Sequence, residues 1–339
     1  MDAGLAASPR HAVRVLAALL ALLILSALLS TAFGSVPLPL GQVARALTGL
    51  PVDPTVRTIV IAIQLPRVVL GALVGAGLAL SGAVLQGVFR NPLADPGLIG
   101  VSAGAGFGAV LAIAVGAAAQ GLWTLPLWAF AGAVLASGLV YLLAVRHGRT
   151  PVLTLILAGV AISALFGAGS TLILTLNIGN TDVQSMLAWL YGSLDGALWR
   201  QDAVLAAFVL PGGATMALFA RDLNLLSTGE EGAAALGVPV EGAQRALLGL
   251  TALVTAAAVA ASGMIAFVGL MVPHLLRRLV GADHRVLLPA SLLGGAAFLV
   301  LADLLARVVA APAEINLGVV TAVIGVPFFL YLLRRGGGR

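Results

Sequence analysis

The chain contains no cysteine, and all 18 of its Lys and Arg positions are arginine. Without cysteine it forms no disulfide or thiolate metal site and cannot do thiol catalysis. Without lysine it cannot carry a phosphate-binding P-loop, whose lysine reaches the β- and γ-phosphates. Any use of ATP must therefore come from a partner. The four histidines, His11, His147, His274 and His284, form no i,i+4 pair and no HExxH pattern, so no metal site is expected. Charge of either sign is scarce, at 9% of 339 residues, where a soluble domain carries about 25%. That leaves too little polar surface to cover a water-soluble globule.

What is present is apolar: 60% of the residues are hydrophobic, and the mean hydropathy is +1.11. Lipid is the expected solvent. The net charge is +5, but the arginines stand singly or in pairs between long apolar runs. A nucleic-acid surface would cluster them on one face, so no nucleic-acid partner is expected; the pattern is that of loops flanking membrane helices. A span needs about 20 mainly apolar residues to cross about 30 Å. Such runs lie near 12–33, 67–88, 97–117, 124–145, 151–176, 202–220, 246–265, 267–280, 286–306 and 316–333. The expected fold is all-α and polytopic, with about ten transmembrane helices in a single transmembrane domain over residues 1–339. As one helix, residues 246–280 would be about 50 Å long; Ser262, Gly263, Gly269 and Pro273 offer places to break it.

The first run follows Arg10 and Arg14 and could pass for a signal peptide. It is long enough to span, however, and Phe33-Gly34-Ser35-Val36-Pro37 is a poor cleavage site, so it is read as a retained helix. With both termini inside, Arg10, Arg14, Arg90, Arg146, Arg149, Arg221, Arg245, Arg277, Arg278, Arg285, Arg334, Arg335 and Arg339 are cytoplasmic. Arg45, Arg57, Arg67, Arg200 and Arg307 remain outside. This is the positive-inside bias. Outside, Gln42 to Leu50 can form a short surface helix, and Trp189, Tyr191 and Trp199 suit a water–lipid boundary.

The most specific stretch runs from Leu65-Pro66-Arg67 to Gly104. Gly71, Gly75, Ser81 and Gly82 permit close helix approach in lipid. After Gln86, the pairs Asn91-Pro92 and Asp95-Pro96 end a helix and turn the chain. Two further blocks are Ser262–Leu270 with Pro273-His274 and Asp283-His284-Arg285, and Ala302-Asp303 to Arg307 with Pro312-Ala313-Glu314 and Gly318–Thr321. On these residues the chain resembles the FecCD-type, BtuC-like permeases of ABC importers for ferric siderophores, haem and vitamin B12, from Gln64 to the C-terminus. Residues 91–100 and 311–314 look closest to the haem-importing branch. The resemblance implies an ABC type II importer fold in a bacterial inner membrane. It also implies a homodimer over two ATP-binding cassette subunits that bind ATP and Mg, and an extracytoplasmic substrate-binding protein that delivers cargo. This chain itself would be no enzyme and hold no cofactor.

Cytoplasmic residues 221–245 point independently to a partner. Ser227 and Glu230 have capping-box spacing, and Leu236-Gly237 with Pro239 is a stop signal. The short helix between them is marginal alone and must pack on something, either its own bundle or another chain. The resemblance assigns ATPase coupling to Ser227, Glu230, Glu231, Leu236 and Gly237. It assigns binding-protein docking to Arg67 and Arg307. A third arginine found in some relatives is replaced here by Gln64, so that contact is either missing or moved to Arg57. A snorkelling arginine is the alternative at each, and for Arg307 an i,i+4 pair with Asp303. Asp303 is read as the one ionisable residue inside a span, too few for an ion-coupled carrier, the rival reading. Thr150, Pro151 and Val152 match a cytoplasmic gate in relatives. Gly159 and Ser163 lie on a small-residue stripe that either lines a path or packs helices; packing is preferred.

Overall fold

The computed structural model describes residues 9–34, 37–145, 150–177 and 182–336, and its elements among them are all helical. Arg146, Arg149 and Arg339 of the orientation argument lie outside the described residues. Sides are named below as the arginine distribution assigns them.

Helix α1 (Pro9–Ala32) leads to an outer segment with α2 (Leu40–Thr48) and α3 (Pro54–Thr58). A π-helical turn, Ile59–Gln64, joins α3 directly to α4 (Leu65–Val88). The turn has a local cause: Pro66 has no N–H to give the preceding turn, and its ring crowds the carbonyl there. The freed backbone is used, since the Trp199 indole Nε1 donates to the Ile61 carbonyl at 2.9 Å. Next come α5 (Val101–Ala114), α6 (Thr124–Ala144), α7 (Val152–Leu176), α8 (Asp182–Leu190) and α9 (Trp199–Leu218). On the cytoplasmic side α10 (Ala220–Leu226) and α11 (Glu230–Ala235) precede α12 (Val240–Ser262), α13 (Val268–Val280), α14 (His284–Val308) and α15 (Leu317–Gly336).

All ten expected apolar runs reappear as helices in the expected order. By length and composition, seven of the described helical segments can cross a membrane, with α3–α4 counted as one segment. Helix α5 and the apolar part of α15, Leu317–Leu332, are shorter; α13, with 13 residues, reaches only about 20 Å at the helical rise. Residues 246–280 do break, after Ser262. Gly263 (φ 71°) and Phe267 (φ 69°) take left-handed backbone, and the extended stretch between them packs on Gly192 and Gly318, where Ser193 N–H donates to the Ser262 carbonyl.

Helix α4 is the hub, buried along most of its length and ringed by α9, α12, α13 and α14. In lipid, apolar surface gains nothing by leaving its solvent, so close van der Waals packing must hold the helices together. Glycine supplies it. A Cβ on Gly75 would overlap the Gly295 carbonyl of α14, and one on Gly82 would overlap the Gly269 carbonyl of α13. The same logic joins α5 to α6 at Gly104 and Gly132. Helix α1 is part of the bundle: the His11 imidazole meets the Leu279 carbonyl at 3.0 Å, and the Arg307 guanidinium of α14 donates to the carbonyl of Ser30 at 3.1 Å.

Candidate functional site

Two polar constellations stand at opposite ends of the bundle. On the outer side, Arg67 in the first turn of α4 is clasped by three carboxylates. Its Nη1 meets Asp195 at 2.6 Å, and its Nη2 meets Asp303 and Glu314 at 2.9 Å each. Nε also donates to Asp303. One helical turn beyond Asp303, Arg307 Nε pairs with it at 3.0 Å. The cluster joins α4, the loop after α8, the end of α14 and the loop before α15. Asp303 and Arg307 are each 3% exposed and Arg67 13%. Charges this far from water hold only if paired, and these are.

The outer arginines are therefore sorted by burial. Arg307 is enclosed and makes the i,i+4 pair with Asp303, and Arg67 is committed inside the chain, so neither presents a free guanidinium outward. Arg67 is taken up by partners far away in sequence, and Arg307 by the i,i+4 pair named above as its alternative together with Ser30, which weighs against both as outward contacts. Arg57, on α3, is exposed, as are Arg45 and Arg200, while Gln64 is buried. The count of ionisable residues inside spans also needs correcting. Asp202 in α9 is 3% exposed, and neither carboxylate oxygen has a hydrogen-bond partner among the described residues.

At the cytoplasmic end, the expected short helix exists but starts differently. No capping box forms. Helix α10 runs to Leu226, and the Ser227 and Thr228 hydroxyls turn back to donate to the Asn224 and Leu225 carbonyls. Gly229, with φ 121°, is the N-cap of α11. Glu230 is thus the first helical residue rather than the third, and its carboxylate accepts from the Gln244 amide of α12 at 3.1 Å. The end of the helix is as expected. Gly237 takes φ 84°, Gly237 N–H donates to Ala234, and Val238 N–H donates to Ala233, the double bond of a glycine-terminated helix. Only Ala233 of α11 is buried. Glu230, Glu231 and Leu236 face water, with Leu236 60% exposed.

Two contacts tie this platform to the bundle, and a third continues from α12 to the start of α7. Glu230 meets Gln244, as above. The Asn224 amide of α10 donates to Asp283 at 2.7 Å, and its oxygen accepts from His284 N–H at 2.8 Å. Burial opposes ionisation of Asp283, but the hydrogen bonds from Arg285 N–H and Asn224 outweigh it and hold the carboxyl below its usual range. The third contact reaches the expected gate: the buried Thr150 hydroxyl donates to the Glu241 carboxylate of α12 at 2.9 Å. Pro151 and Val152 follow as N-cap and first residue of α7; Arg149, which precedes them, lies outside the described residues. On α7, Gly159 abuts the Leu98 carbonyl, which is packing, while Ser163 is half-buried.

The signature turn is built by its own side chains. Arg90 takes φ 50°, and with Asn91 it closes α4 through bonds to Gly87 and Gln86. The Asn91 side chain accepts from Leu93 N–H, and the Asp95 side chain from Gly97 N–H. Pro92 is exposed; Pro96 is buried and lies against Gly269. The Gln86 amide, 1% exposed, donates to the Leu270 carbonyl at 3.1 Å and accepts from Arg277 at 3.3 Å. The turn is thereby bonded to α13. A cavity of about 1070 Å³ lies at the outer ends of α5, α6, α8 and α12, with Asp182, Asp195, Gln201 and Ser262 on its wall. None of these four was singled out from sequence for a path.

Comparison with known proteins agrees with this architecture. The profile of the FecCD transport family matches residues 22–335. The chain is 49% identical to the cobalamin import system permease protein BtuC of Halobacterium salinarum, over 89% of this chain and 80% of that protein. It is 42% identical to the hemin transport system permease protein HmuU of Yersinia pestis, over 94% of each. A solved inward-facing structure of a metal-chelate type ABC transporter superposes with a TM-score of 0.84 at 36% identity, covering 95% of this chain and 99% of that one.

Proposed function

The chain belongs to the FecCD transport family, and from that premise we propose that it is the membrane-spanning subunit of a binding-protein-dependent ABC importer. Two copies would enclose the path, each seated on an ATPase subunit in the cytoplasm, with an extracytoplasmic binding protein delivering cargo. Both termini would be cytoplasmic in an inner or plasma membrane. The observation that carries the reading is the platform of α10 and α11. A helix of 6 residues is marginal by itself, yet this one is closed by Gly237 and bonded to α12 through Glu230. It still leaves Leu236 and two carboxylates in water. Such a shape suits insertion into another protein.

Mechanism follows from the contacts. ATP binding draws the partner ATPases together and displaces α11. Glu230–Gln244 passes the displacement to α12, and Glu241–Thr150 passes it to the start of α7. Rigid helices then shift as bodies, opening the path on one side as the other closes. The outer docking role falls to exposed Arg57, because Arg67 and Arg307 are occupied. The ion-coupled alternative is disfavoured because Arg67, Asp303 and Arg307 are committed to ion pairs with one another and with Asp195 and Glu314; such a carrier would have to work through the buried Asp202.

For cargo we propose a metal-bearing tetrapyrrole, with cobalamin first. The 49% identical relative is named for cobalamin and the 42% identical one for hemin. Haem stands second on the likeness of residues 91–100 and 311–314 to that branch. The complex of permease, ATPase and binding protein, reconstituted in vesicles, should take up cyanocobalamin only with ATP and the ATPase present. Uptake that persists without the ATPase subunit would overturn the importer reading. Uptake of hemin in place of cobalamin would reverse the order within the class, and uptake of a ferric siderophore alone would overturn the cargo assignment without touching the importer reading.

A further inference from the structure

A second concavity lies on the cytoplasmic half of the bundle, away from both constellations. It is a groove of about 410 Å³ between α6, α7 and α12, walled by apolar side chains including Val134, Leu155, Leu248 and Leu253. It exists because two glycines line it. A Cβ on Gly138 of α6 or Gly249 of α12 would meet no atom within 4 Å. Close packing uses glycine elsewhere in this bundle to bring backbones into contact; here two glycines leave space unfilled. From Arg245 to Leu253 the groove follows α12 for about 12 Å at the helical rise, close to half of a hydrocarbon core of about 30 Å. It thus has the depth of one leaflet.

Its cytoplasmic end is marked by Arg245 and Tyr141. Arg245 is exposed. Its Nε donates to the Glu241 carbonyl at 3.2 Å, and it makes no ion pair among the described residues. The rest of its planar fork is free to take a phosphate oxygen. An apolar slot one leaflet deep, ending in an uncommitted guanidinium, has the complementarity of an anionic lipid of the cytoplasmic leaflet. We infer that the groove holds an acyl chain of an anionic phospholipid whose phosphate is bound by Arg245. Because Arg245 bonds the backbone of Glu241, the occupied site braces the residue that holds Thr150. The inference rests on the membrane placement of the chain and not on its cargo.

Native mass spectrometry of the delipidated full-length permease, supplied with phosphatidylglycerol or phosphatidylcholine, tests it. The wild type should bind phosphatidylglycerol at least about tenfold more tightly than phosphatidylcholine, whose choline cation offsets its phosphate beside a guanidinium, and Arg245→Gln should remove that preference by weakening phosphatidylglycerol far more. Gly249→Leu, which fills open space, should weaken both lipids. Should a variant fail to fold, the wild type alone decides. Phosphatidylglycerol with a photoactivatable acyl chain should label Leu248, Leu253 or Val134 ahead of the exposed leucines of α7. Equal affinity for the two lipids, or labelling spread evenly over α7, overturns the inference. So does disulfide linkage between two copies of Gly249→Cys, clean in a chain without other cysteines, because it would assign the groove to a second copy.

Discussion

A guanidinium enclosed by carboxylates cannot be removed without leaving their charges behind. Of the three partners of Arg67, Asp195 is 60% exposed and Asp303 is 3% exposed. Solvent screens the first bridge to nearly nothing, so the Asp303 contact dominates. Arg67→Ala should therefore lower stability by about 3–5 kcal/mol, the cost of breaking a buried pair from one side. Adding Asp303→Asn should deepen the loss, because it strands the buried Arg307 guanidinium that pairs with Asp303. Thermal unfolding of the purified protein in detergent measures both; an Arg67→Ala protein with the wild-type midpoint would show that the cluster holds nothing together. Asp202 is the opposite case. Its buried carboxylate has no described partner, and it contributes no comparable pair.

At the scale of elements, the route from α11 to α7 passes through two hydrogen bonds, each with one carboxylate partner. A bond to a charged group is worth about 1.5–3 kcal/mol, which is about tenfold or more in a two-state equilibrium. Thr150→Val should cut cargo uptake by about tenfold while the ATPase subunits go on hydrolysing ATP. Glu241→Gln should do the same, and the double variant should be little worse than either, as partners in one contact require. If the two losses add in full, Thr150 and Glu241 act separately and the route is wrong. These elements also show how far sequence reading reaches. The ten apolar helices were legible because lipid demands long apolar runs. The α12–α13 break was legible because Gly263 interrupts one, whereas Gly269 and Pro273, the other break points offered, lie inside α13. The end of α11 was legible in Gly237, which only a left-handed cap explains. Its start was misread: Ser227 has cap spacing to Glu230, but its hydroxyl is drawn back to the Asn224 carbonyl. Helices α8 and α10 were missed because 9 and 7 residues in polar segments carry no periodicity that stands out. The partners of Arg67 lie 128 to 247 residues away, and no local pattern announces such a meeting.

Across the whole molecule, the two ends carry different charge and do different work. The outer end hides Arg67 and Arg307 in a closed cluster and exposes Arg45, Arg57 and Arg200, leaving these three for an acidic partner surface. Attraction between solvent-exposed charges is screened over about 10 Å at 0.1 M salt, and it acts more on association rate than on the docked state. Arg57→Glu should therefore slow capture of the binding protein by the reconstituted importer, several-fold at 20 mM salt and hardly at all at about 500 mM, where the screening length falls toward 3–5 Å. Dissociation should change little. Surface substitutions of this kind usually alter stability by less than about 0.5 kcal/mol, so the Arg57→Glu protein should unfold with the wild type, in contrast to Arg67→Ala. Surface plasmon resonance across a salt series, with the binding protein as analyte, separates the two effects. An association rate unchanged at low salt would remove Arg57 from the docking face and leave Arg45 and Arg200 to carry it.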